Sequence, residues 1–458
     1  MINRHVDVIV IGAGPAGMSG AVTLAGFGLQ VLLLDEQGSA GGQVYRGITL
    51  APLARRDLLG TDYARGNELA VALASSPVQY ETGAAVWQMT RDHQVSYLRD
   101  GHLQIVQAKA VLLATGAMER PFPIPGWTLP GVMTAGAAQI LLKSSGLAPS
   151  EPVVLAGCGP LLYLLGWQYL RAGVAIKAII DTTRREDYWH ARRHLFAALR
   201  AWPYLRKGLE LMHSLRKAGI AHYTGAEQLA IEGDDAASGV TFNASGRAVR
   251  IATRCVLLHQ GVVPNIQFTQ SLRARHDWDV SQLCFSPVVD AWGELDVPGV
   301  YVAGDGAGIG GAQAAAIQGE LAALGIASHL GGITEALRDQ RATSLRSTLQ
   351  ANLRIRPFLD ALYRPKEENR IPADDVMVCR CEELTAGEIR RFVALGCTGP
   401  NQAKSFGRCG MGPCQGRLCG LTVTEVIASA RGVPASEVGY YRIRPPIKPI
   451  TLGELAGE

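Results

Sequence analysis

The stretch VIVIGAGPAG, which spans Val8–Gly17, decides how this chain folds. A short apolar run ends in three closely spaced glycines, and an apolar, small-residue segment up to Phe27 then predicts a helix. In a strand–turn–helix dinucleotide site the three glycines have different roles. The first allows the tight turn, the second lets the backbone approach a pyrophosphate, and the third lets the helix pack closely on the strand. The first N–H groups of the helix are then free to bind phosphate. The candidate residues of this turn are Gly12, Gly14, Pro15, Ala16 and Gly17.

A second apolar run supports this interpretation of the turn. Val31–Leu34 ends at Asp35, 23 residues after Gly12, where an acidic side chain would accept a hydrogen bond from a ribose hydroxyl. Glu36, the next residue, is a further candidate. A glycine-rich loop that binds no ligand is the alternative, but chance glycine turns rarely continue in this way. The sequence therefore predicts a dinucleotide-binding domain in its first part.

Length and composition exclude several classes of protein. The 458 residues suit two to four domains, and 48% of them are apolar. The net charge of +4 is small and no basic run occurs, which argues against a nucleic acid partner. A strand is expected within six residues of the start, and no apolar run has the length of a membrane span, so we expect neither a signal peptide nor a membrane span. The cytoplasm is the expected compartment, with attachment to the inner membrane through partners or a quinone acceptor as the alternative.

The opening pattern returns later in the chain. An apolar run from Val153 leads into Gly157 and Gly159, and Asp181 ends the next predicted strand 24 residues after Gly157. This repeat predicts a second dinucleotide fold inserted in the first. Leu162 stands where the third glycine is expected, so we expect the helix to be pushed away or the loop to be shifted. A working NAD(P) site and a retained fold that has lost its nucleotide both stay open, and we favour the second.

The sequence then returns to the first domain. Gly299–Asp305, GVYVAGD, predicts a buried strand that ends in an aspartate, and a helix is expected from Ala312. Earlier in the chain, VLLATG predicts a buried strand that ends at Thr115 and Gly116. We interpret Asp305 as a cofactor ligand, with a cap of the following loop as the alternative.

Together GAGPAG, Asp35, ATG and GD resemble the two-dinucleotide-domain flavoprotein oxidoreductases, the group of the thioredoxin and glutathione reductases. The resemblance covers roughly residues 5–330 and implies FAD in the first domain and, in most members, a nicotinamide in the second. No cysteine precedes Cys158, so a flavin-coupled disulfide is not expected. The residues that the resemblance adds to the FAD site are Gly42, Gln43, Thr115, Gly116, Gly304, Asp305 and Ala312.

Six of the nine cysteines lie within 41 residues near the C-terminus. In a reducing compartment such crowding favours metal binding over disulfides. A Cys-x-Cys pair, a 32-residue gap and a second pair with four residues between its members can wrap one small iron–sulfur cluster. Zinc is the competitor, although structural zinc sites more often use Cys-x2-Cys pairs. The predicted ligands are Cys379, Cys381, Cys414 and Cys419, with Cys409 as the alternative to Cys419 and Cys397 as a core residue.

The cysteine module resembles the bacterioferritin-associated ferredoxin-like [2Fe-2S] domain, although its second pair is spaced by four residues rather than two. Nearly the whole chain is similar to the FAD-containing A or alpha subunits of bacterial opine oxidases, D-hydroxyproline dehydrogenases and hydrogen cyanide synthase. The stretches that carry this similarity are GMGPCQGRLC, the closing RIRPPIKPITLGELA and the earlier ATGAMERPFPIPGWTLPGVMTAGAAQ. In that type of complex a separate subunit oxidises the amine or imino acid.

The resemblance implies an oxidoreductase subunit that belongs to a complex, acts on CH–NH or CH–NH2 donors and transfers electrons through FAD and a [2Fe-2S] cluster. The implied partners are a small [2Fe-2S] subunit and a D-amino-acid-oxidase-like FAD catalytic subunit. No histidine, carboxylate or cysteine arrangement stands out as a general base or nucleophile, so we predict no catalytic residue. A self-contained NAD(P)H-dependent flavin reductase and an assembly scaffold that holds zinc are the alternatives.

The predicted fold class is α/β, with two Rossmann-like dinucleotide-binding domains, the second inserted in the first, and a small, mainly helical [2Fe-2S] domain. Residues 52–75 predict a helix, and the proline-rich residues 121–131 predict a crossover between domains. The expected domains are residues 1–125 with 285–335 for FAD, 126–284 for the second dinucleotide fold, 336–371 for a helical linker, and 372–458 for the cluster and tail.

Overall fold

The computed structural model describes residues 4–456, and its first domain is built around the predicted glycine turn. The chain enters this domain through a strand, passes the turn, and continues into a helix, as the sequence predicts. The elements up to residue 119 are β1 (Arg4–Ile11), α1 (Pro15–Gly26), β2 (Val31–Leu34), α2 (Leu53–Leu59), α3 (Thr61–Ala64), α4 (Gly66–Ala74), β3 (Gln79–Glu81), β4 (Ala85–Met89), β5 (Gln94–Arg99), β6 (His102–Leu113) and β7 (Ala117–Glu119).

The first sheet has the strand order β3-β2-β1-β6-β5-β4. β1 pairs in parallel with β2 and β6, so Val8 lies opposite Val31 on one side and Ala110 on the other. All four residues of β2 are buried, which is typical of a parallel strand covered on both faces. The glycine turn therefore leaves the sheet at the carboxyl end of a central strand, where ligands bind in open α/β sheets.

Residues 52–75 form the three short helices α2, α3 and α4, and the prediction of one helix is wrong. Gly60 separates the first two of them with a φ of +96°, a conformation that interrupts a right-handed helix and that side chains other than glycine rarely adopt. A Cβ at Gly60 would lie 3.2 Å from the ring of Trp167. The break therefore lets this segment turn against the second domain.

The second domain follows residues 120–131, which contain no helix or strand and form the predicted crossover. A short 3-10 turn, Arg192–His194, separates two of its helices. Its elements are β8 (Val132–Thr134), α5 (Ala135–Ser145), β9 (Val153–Cys158), α6 (Pro160–Arg171), β10 (Ile176–Asp181), α7 (Arg185–Ala191), α8 (Leu195–Arg200), α9 (Trp202–Lys217), β11 (Ala221–Thr224), β12 (Glu227–Glu232), β13 (Gly239–Ala244), β14 (Arg247–Ala252), β15 (Cys255–Gln260), β16 (Val262–Pro264), α10 (Gln267–Ser271), β17 (His276–Asp279) and β18 (Cys284–Pro287).

The second domain repeats the first at its glycine turn. Its parallel sheet has the order β11-β10-β9-β15-β8, with β12, β13 and β14 forming a separate antiparallel sheet. α6 starts three residues after Gly157, as α1 starts three residues after Gly12, and both helices have 12 residues. The side chain of Leu162 is fully buried in the core beside Leu155. The core thus accommodates the leucine, and the backbone of the turn differs from that of the first at Gly159, whose φ is +116° where that of Gly14 is −77°.

The chain returns to the first sheet through β19 (Val300–Val302), which pairs in parallel with β6. α11 (Ala312–His329) then packs closely on α1, since a Cβ at Gly319 would lie 2.1 Å from the carbonyl oxygen of Ala16. The second dinucleotide fold is thus inserted in the first, as predicted. The linker contains α12 (Glu335–Leu353), α13 (Arg356–Leu362) and a 3-10 turn (Glu367–Asn369).

The C-terminal module is mainly helical and packs against one face of the first sheet, because its buried residues form one continuous core with those of that face. Thr385 caps the first of its helices: its Oγ1 accepts from the N–H of Glu388 at 3.3 Å, and its own N–H donates to the Glu388 carboxylate at 2.9 Å. None of the helices within residues 4–456 has the length and apolar character needed to cross a bilayer. The module contains β20 (Met377–Cys379), β21 (Leu384–Thr385), α14 (Ala386–Ala394), α15 (Pro400–Gly407), α16 (Gly420–Arg431), α17 (Ala435–Val438) and α18 (Leu452–Ala456).

Candidate functional site

The glycine turn after β1 leaves room for a ligand at one position and is tightly packed at the other two. A Cβ at Gly12 would lie 2.5 Å from the carbonyl oxygen of Ala114, and one at Gly17 would lie 1.8 Å from that of Gly12. At Gly14, in contrast, the nearest atom to an added Cβ is the Cα of Gly42, at 3.8 Å. Gly14 is also the N-cap of α1 and has no side chain to bond the first N–H groups of this helix. The packing of the fold therefore requires two of these glycines, whereas Gly14 keeps space open for a ligand.

A cavity of about 780 Å³ lies in front of this turn. The volume is within the range of roughly 300–1,000 Å³ that small-molecule and cofactor sites occupy. Every predicted cofactor residue except Gly17, whose role is packing, lines it. The predicted residues in its wall are Gly12, Gly14, Pro15, Ala16, Asp35, Glu36, Gly42, Gln43, Thr115, Gly116, Gly304, Asp305 and Ala312.

Asp35 stabilises the glycine turn from the end of β2. It is buried, and its carboxylate accepts hydrogen bonds from the N–H of Ala13 at 2.6 Å and of Gln37 at 2.8 Å. A carboxylate has about four acceptor positions, so Asp35 keeps capacity for a ribose hydroxyl. Glu36 also lines the cavity and forms an ion pair with Lys448 of the C-terminal tail. The role of both acidic residues as ribose ligands stays a prediction.

Asp305 performs the capping role that the sequence left as the alternative. Its Oδ1 accepts from the N–H groups of Gly310 and Gly311, both at 2.9 Å, and this orders the loop before α11. Asp305 also lines the cavity, so the cap does not exclude contact with a cofactor. On the opposite side, the hydroxyl of Thr115 donates to the carbonyl oxygen of Asn265 at 3.2 Å and joins the end of β6 to the second domain.

Three buried cations, Arg46, Arg120 and Lys143, line the same cavity, and sequence reasoning missed all three. Arg46 lies in the loop after β2 and is 9% exposed, and Lys143 lies on α5 and is 4% exposed. Burial lowers the pKa of the Lys143 ammonium to about 7. No spacing in the sequence indicated them, because Lys143 reaches the carbonyl oxygen of Gln43 across 100 residues. Arg46 and Lys143 therefore line the same cavity as the first glycine turn.

The second glycine turn faces a histidine–glutamate pair. His259, at the end of β15, is 2% exposed, and its Nδ1 lies 2.6 Å from the carboxylate of Glu119. That carboxylate also accepts from the N–H of Gly136, at 2.9 Å. The sequence indicated no role for Glu119. The pair joins the two domains at the cavity wall.

The linker lies across the carboxyl ends of the strands in the second sheet. The thiol of Cys158, in the second glycine turn, lies 3.5 Å from the carbonyl oxygen of Tyr363. Lys366 pairs with Asp187, and Glu368 bonds to Arg184 at 2.9 Å. Because a dinucleotide would lie along this edge of the sheet, the linker occupies part of the space that it would need.

Asp181, which matches Asp35 in the first domain, is not accessible from the cavity side. It is 1% exposed, and its carboxylate accepts from the hydroxyl of Tyr163 and from the N–H of Thr183 at 2.7 Å. Burial raises the pKa of the Asp181 carboxyl. The carboxylate that would bind an adenosine ribose in the second domain therefore forms its hydrogen bonds with groups inside the protein.

The C-terminal module brings five cysteines together. The sulfur atoms of Cys379, Cys409 and Cys419 lie within 4.8 Å of one another, and all three residues are buried. Cys414 contacts Cys419 on one side and Cys381 on the other. Cys381 and Cys414 are less buried than the other three cysteines. Cys397 is buried elsewhere and bonds to the carbonyl oxygen of Gly399 at 3.3 Å, as expected of a core residue. The four predicted ligands and Cys409 thus form one cluster of thiols.

Two of the five thiols in this cluster ionise readily, whereas their neighbours raise the pKa of Cys409 and Cys419 and burial raises that of Cys381. Hydrogen bonds from Cys409 and Cys419 lower the pKa of Cys379 to about 2, and a hydrogen bond from Cys419 lowers the pKa of Cys414 to about 5. The backbone N–H of Gly410 also bonds to the sulfur of Cys379. Thiolates with backbone N–H donors are the donor set that iron–sulfur clusters use. The residues present therefore fit a thiolate-bound metal group.

The cysteine module lies next to the cavity. Arg417, between Cys414 and Cys419 in the sequence, lines the cavity wall and donates to the carbonyl oxygen of Ile447 at 3.2 Å. The N–H of Ile447 donates to the carbonyl oxygen of Trp87 in β4, at 3.0 Å. One residue of the cysteine loop therefore reaches the same space as the glycine turn.

Known proteins share both the dinucleotide domains and the cysteine module. Residues 6–319 match the family model "Pyridine nucleotide-disulphide oxidoreductase", and residues 375–458 match "Sarcosine oxidase A3 domain". The chain is 45% identical to the A subunit of opine oxidase from Rhizobium meliloti, over 99% of this chain and 88% of that protein. It is 32% identical to hydrogen cyanide synthase subunit HcnB of Pseudomonas protegens, over 97% of this chain and 96% of that protein.

A solved structure shares the whole architecture. The L-proline dehydrogenase from P. horikoshii matches with a TM-score of 0.72 and 21% identity, over 99% of this chain and 80% of that chain. The thioredoxin reductase of T. acidophilum matches 72% of this chain and 99% of its own, with a TM-score of 0.50 and 22% identity. At these identities both likenesses concern the fold alone.

Proposed function

This chain belongs to the pyridine nucleotide-disulphide oxidoreductase family and is of the same type as the A subunits of opine oxidases. On that premise we propose that it is the electron-transferring subunit of a heteromeric dehydrogenase that oxidises amines, imino acids or opines. The observation that carries the proposal is the cavity that meets both the first glycine turn and the cysteine loop. Both Gly14 and Arg417 line this cavity. Two redox groups held there would be neighbours, as electron transfer requires.

The first domain would hold FAD. The N–H groups at the start of α1 would bind the pyrophosphate, because Gly14 leaves them open and the helix dipole favours negative charge there. Asp35 or Glu36 would accept from the adenosine ribose, and the loop at Gln43 would follow the ribityl chain. A bound flavin supplies two-electron and one-electron chemistry, so it can link a hydride donor to a one-electron carrier.

The cysteine module would hold a [2Fe-2S] cluster. We propose Cys379, Cys381, Cys414 and Cys419 as its ligands, with Cys409 as the alternative to Cys419. The backbone N–H of Gly410 would bond to a ligand sulfur and stabilise its charge. Arg417 would lie between the cluster and the cavity and keep water out of the space between the two groups. Crowded thiols of this kind persist in a reducing compartment, so we propose a cytoplasmic location.

An exposed aromatic surface supports the proposal of a partner subunit. The segment 184–217 contains nine lysine or arginine residues and only three acidic ones. Aromatic residues and arginine are typical of the central, energetically important part of protein interfaces. We propose that this surface contacts the D-amino-acid-oxidase-like catalytic subunit. Its exposed apolar residues, each between 38% and 69% exposed, are Tyr188, Trp189, Leu195, Phe196, Leu199, Trp202, Tyr204 and Leu209.

The alternative of a self-contained NAD(P)H-dependent flavin reductase has less support. The linker from Tyr363 to Glu368 lies where the dinucleotide would bind in the second domain, and Asp181 is committed to Tyr163. We therefore propose that the second fold is retained for its contacts with the cavity and the linker, without a nucleotide of its own. Electrons would then enter from the partner subunit.

Reduction of the purified complex tests the proposal. The chain is purified from its native host with its partner, made anaerobic, and mixed with a panel of amines, imino acids and opines. The flavin absorbance of this chain and the electron paramagnetic resonance signal of its cluster are expected to change with one class of substrate, and only when the catalytic subunit is present. Reduction of the isolated chain by the same substrate, or cysteines that hold zinc without iron and sulfide, would contradict the proposal.

A further inference from the structure

Lys143 and Arg46 are buried cations without a carboxylate partner. Within residues 4–456 neither side chain has a carboxylate oxygen within 4.0 Å, although both are at least nine-tenths buried. Transfer of an unpaired charge into a protein interior is costly. The backbone at Gly47 lies against α5, since a Cβ there would be 3.3 Å from the carbonyl oxygen of Lys143. The two cations thus share one region of the cavity wall.

A chain of oriented hydrogen bonds fixes the ammonium of Lys143. Its Nζ donates to Oε1 of Gln139 at 2.7 Å, and Nε2 of Gln139 donates to Oε1 of Gln168 at 2.8 Å. Gln168 in turn donates to the carbonyl oxygen of Leu59 at 3.0 Å. Nζ also donates to the carbonyl oxygen of Gln43 at 3.2 Å. Two of its three N–H groups therefore have neutral partners, and the third is free for a further acceptor.

The guanidinium of Arg46 has unused donors. Its Nε is fully buried and has no hydrogen-bond partner in the described part of the chain. Asp35 is the acidic group whose charge reaches it, but the bonds of the Asp35 carboxylate are to the backbone N–H groups of Ala13 and Gln37 rather than to Arg46. Arg46 also lines the cavity, where a guanidinium with unused donors can bond to an acceptor that the cavity receives.

We propose that Arg46 and Lys143 form a phosphate-binding site in the wall of this cavity. The proposal rests on the nucleotide site proposed above for the identity of the occupant. The site lies beside the glycine turn, because Gln43 follows Gly42, and a Cβ at Gly42 would lie 2.8 Å from the Cα of Gly14. The phosphate has two possible sources, which are the pyrophosphate of FAD bound at the turn and the phosphate of a separate mononucleotide in the same cavity.

Ligand-binding titrations of the apoprotein test this site. Dissociation constants are measured for FAD, FMN, ADP and riboflavin with wild-type protein and with Lys143→Met, Arg46→Met and the charge-conserving Lys143→Arg. Lys217→Met, an exposed lysine at the end of α9, is the matched control. Each methionine variant is expected to bind at least one phosphorylated ligand about 10-fold more weakly or worse, which equals about 1.4 kcal/mol, and to bind riboflavin as wild type does.

The ligand that loses affinity identifies the source of the phosphate. A loss of affinity for FAD and ADP assigns the site to the pyrophosphate of FAD. A loss of affinity for FMN assigns it to the phosphate of a mononucleotide. The ligand-free Lys143→Met protein is expected to unfold at or above the unfolding temperature of the wild-type protein, because the variant lacks a buried cation. An unfolding temperature in this range shows that the variant folds.

An equal loss for riboflavin, or unchanged affinity for all three phosphorylated ligands, overturns the inference and leaves the proposed function intact. Wild-type protein that binds none of the four ligands overturns the proposed function as well.

Discussion

Substitution of Gly14 by alanine separates the ligand-binding role of the first glycine turn from its packing role. The new methyl group would lie 3.8 Å from the Cα of Gly42, which is an ordinary van der Waals distance. The backbone of Gly14, with φ −77° and ψ −175°, suits any residue. Alanine is a poorer N-cap, but it also lowers the entropy of the unfolded chain. We expect the free energy of unfolding of the ligand-free protein to change by no more than about 0.5 kcal/mol.

FAD binding should respond much more strongly than stability. The methyl group would stand where the pyrophosphate approaches the start of α1 and would displace it from the open N–H groups. Loss of one hydrogen bond to a charged group costs about 1.5–3 kcal/mol, so affinity should fall about 10- to 100-fold. Isothermal titration of the apoprotein with FAD measures this change, and urea unfolding of the ligand-free protein measures stability.

Two alanine variants in the same helix serve as references. A Cβ at Gly17 would lie 1.8 Å from the carbonyl oxygen of Gly12, so Gly17→Ala should lower the stability of the ligand-free protein by about 1–3 kcal/mol. Gly26 has no atom within 4 Å of an added Cβ, so Gly26→Ala should be neutral or slightly stabilising. Wild-type FAD affinity in a folded Gly14→Ala protein would refute the ligand role of this residue, and wild-type stability of Gly17→Ala would refute its packing role.

Four further predictions concern the cluster, the second domain, the cavity and the partner surface. Cys414→Ser should abolish the iron and sulfide content, whereas Cys397→Ser should keep both, because Cys397 bonds only within the core; metal and sulfide analysis that shows no difference between them would count against the ligand set. NADPH added anaerobically to the flavin-loaded chain should leave the flavin oxidised, since the linker occupies part of the space that a dinucleotide would need in the second domain. Rapid bleaching in a stopped-flow experiment would disprove this. FAD affinity, measured by titration at a series of pH values, should fall as the pH rises above about 7, because burial lowers the pKa of Lys143 to about 7 and a neutral amine cannot pair with phosphate. Arg46, the charged side chain whose field reaches Lys143, stays protonated over this range. Lys143→Arg should therefore remove the dependence of FAD affinity on pH. Phe196→Asp should reduce co-purification of the catalytic subunit, while Leu452→Asp, which is also exposed and lies on the C-terminal tail, should not; equal yields of complex would reject the proposed surface.

The parts of the fold that sequence predicted well are those in which local chemistry decides the geometry. The turn at Gly12 requires a positive φ, and the same requirement recurs at Gly157, so the repeat could be recognised from residue types and spacing. The prediction for residues 52–75 failed at Gly60, because an apolar periodicity does not reveal a single residue with left-handed backbone. Leu162 was expected to push the helix away or to shift the second loop; the core accommodates its side chain, and the backbone of this turn differs from that of the first at Gly159.

The candidate site was predictable only where motifs with known spacing form the cavity wall. The residues near the glycine turns belong to such motifs, and every one of them that was predicted, except Gly17, lines the cavity. Lys143 and Arg46 carry no such signal, since an isolated lysine in a helix and an arginine in a loop are usually exposed. Their burial results from contacts between α5 and the loop after β2, and one of these contacts joins residues 100 positions apart in the chain.

The sequence by itself determined the two glycine turns, the alternation of strands and helices around them and the spacing of the cysteines, because each of these follows from the conformational limits or the ligand chemistry of residues that are close in the chain. The tertiary structure alone decided that Cys409 joins Cys379 and Cys419, that the linker contacts the end of the second glycine turn, and that buried cations line the cavity. The physical reason is that these features are contacts between distant segments, and their geometry depends on how the domains pack rather than on any local pattern.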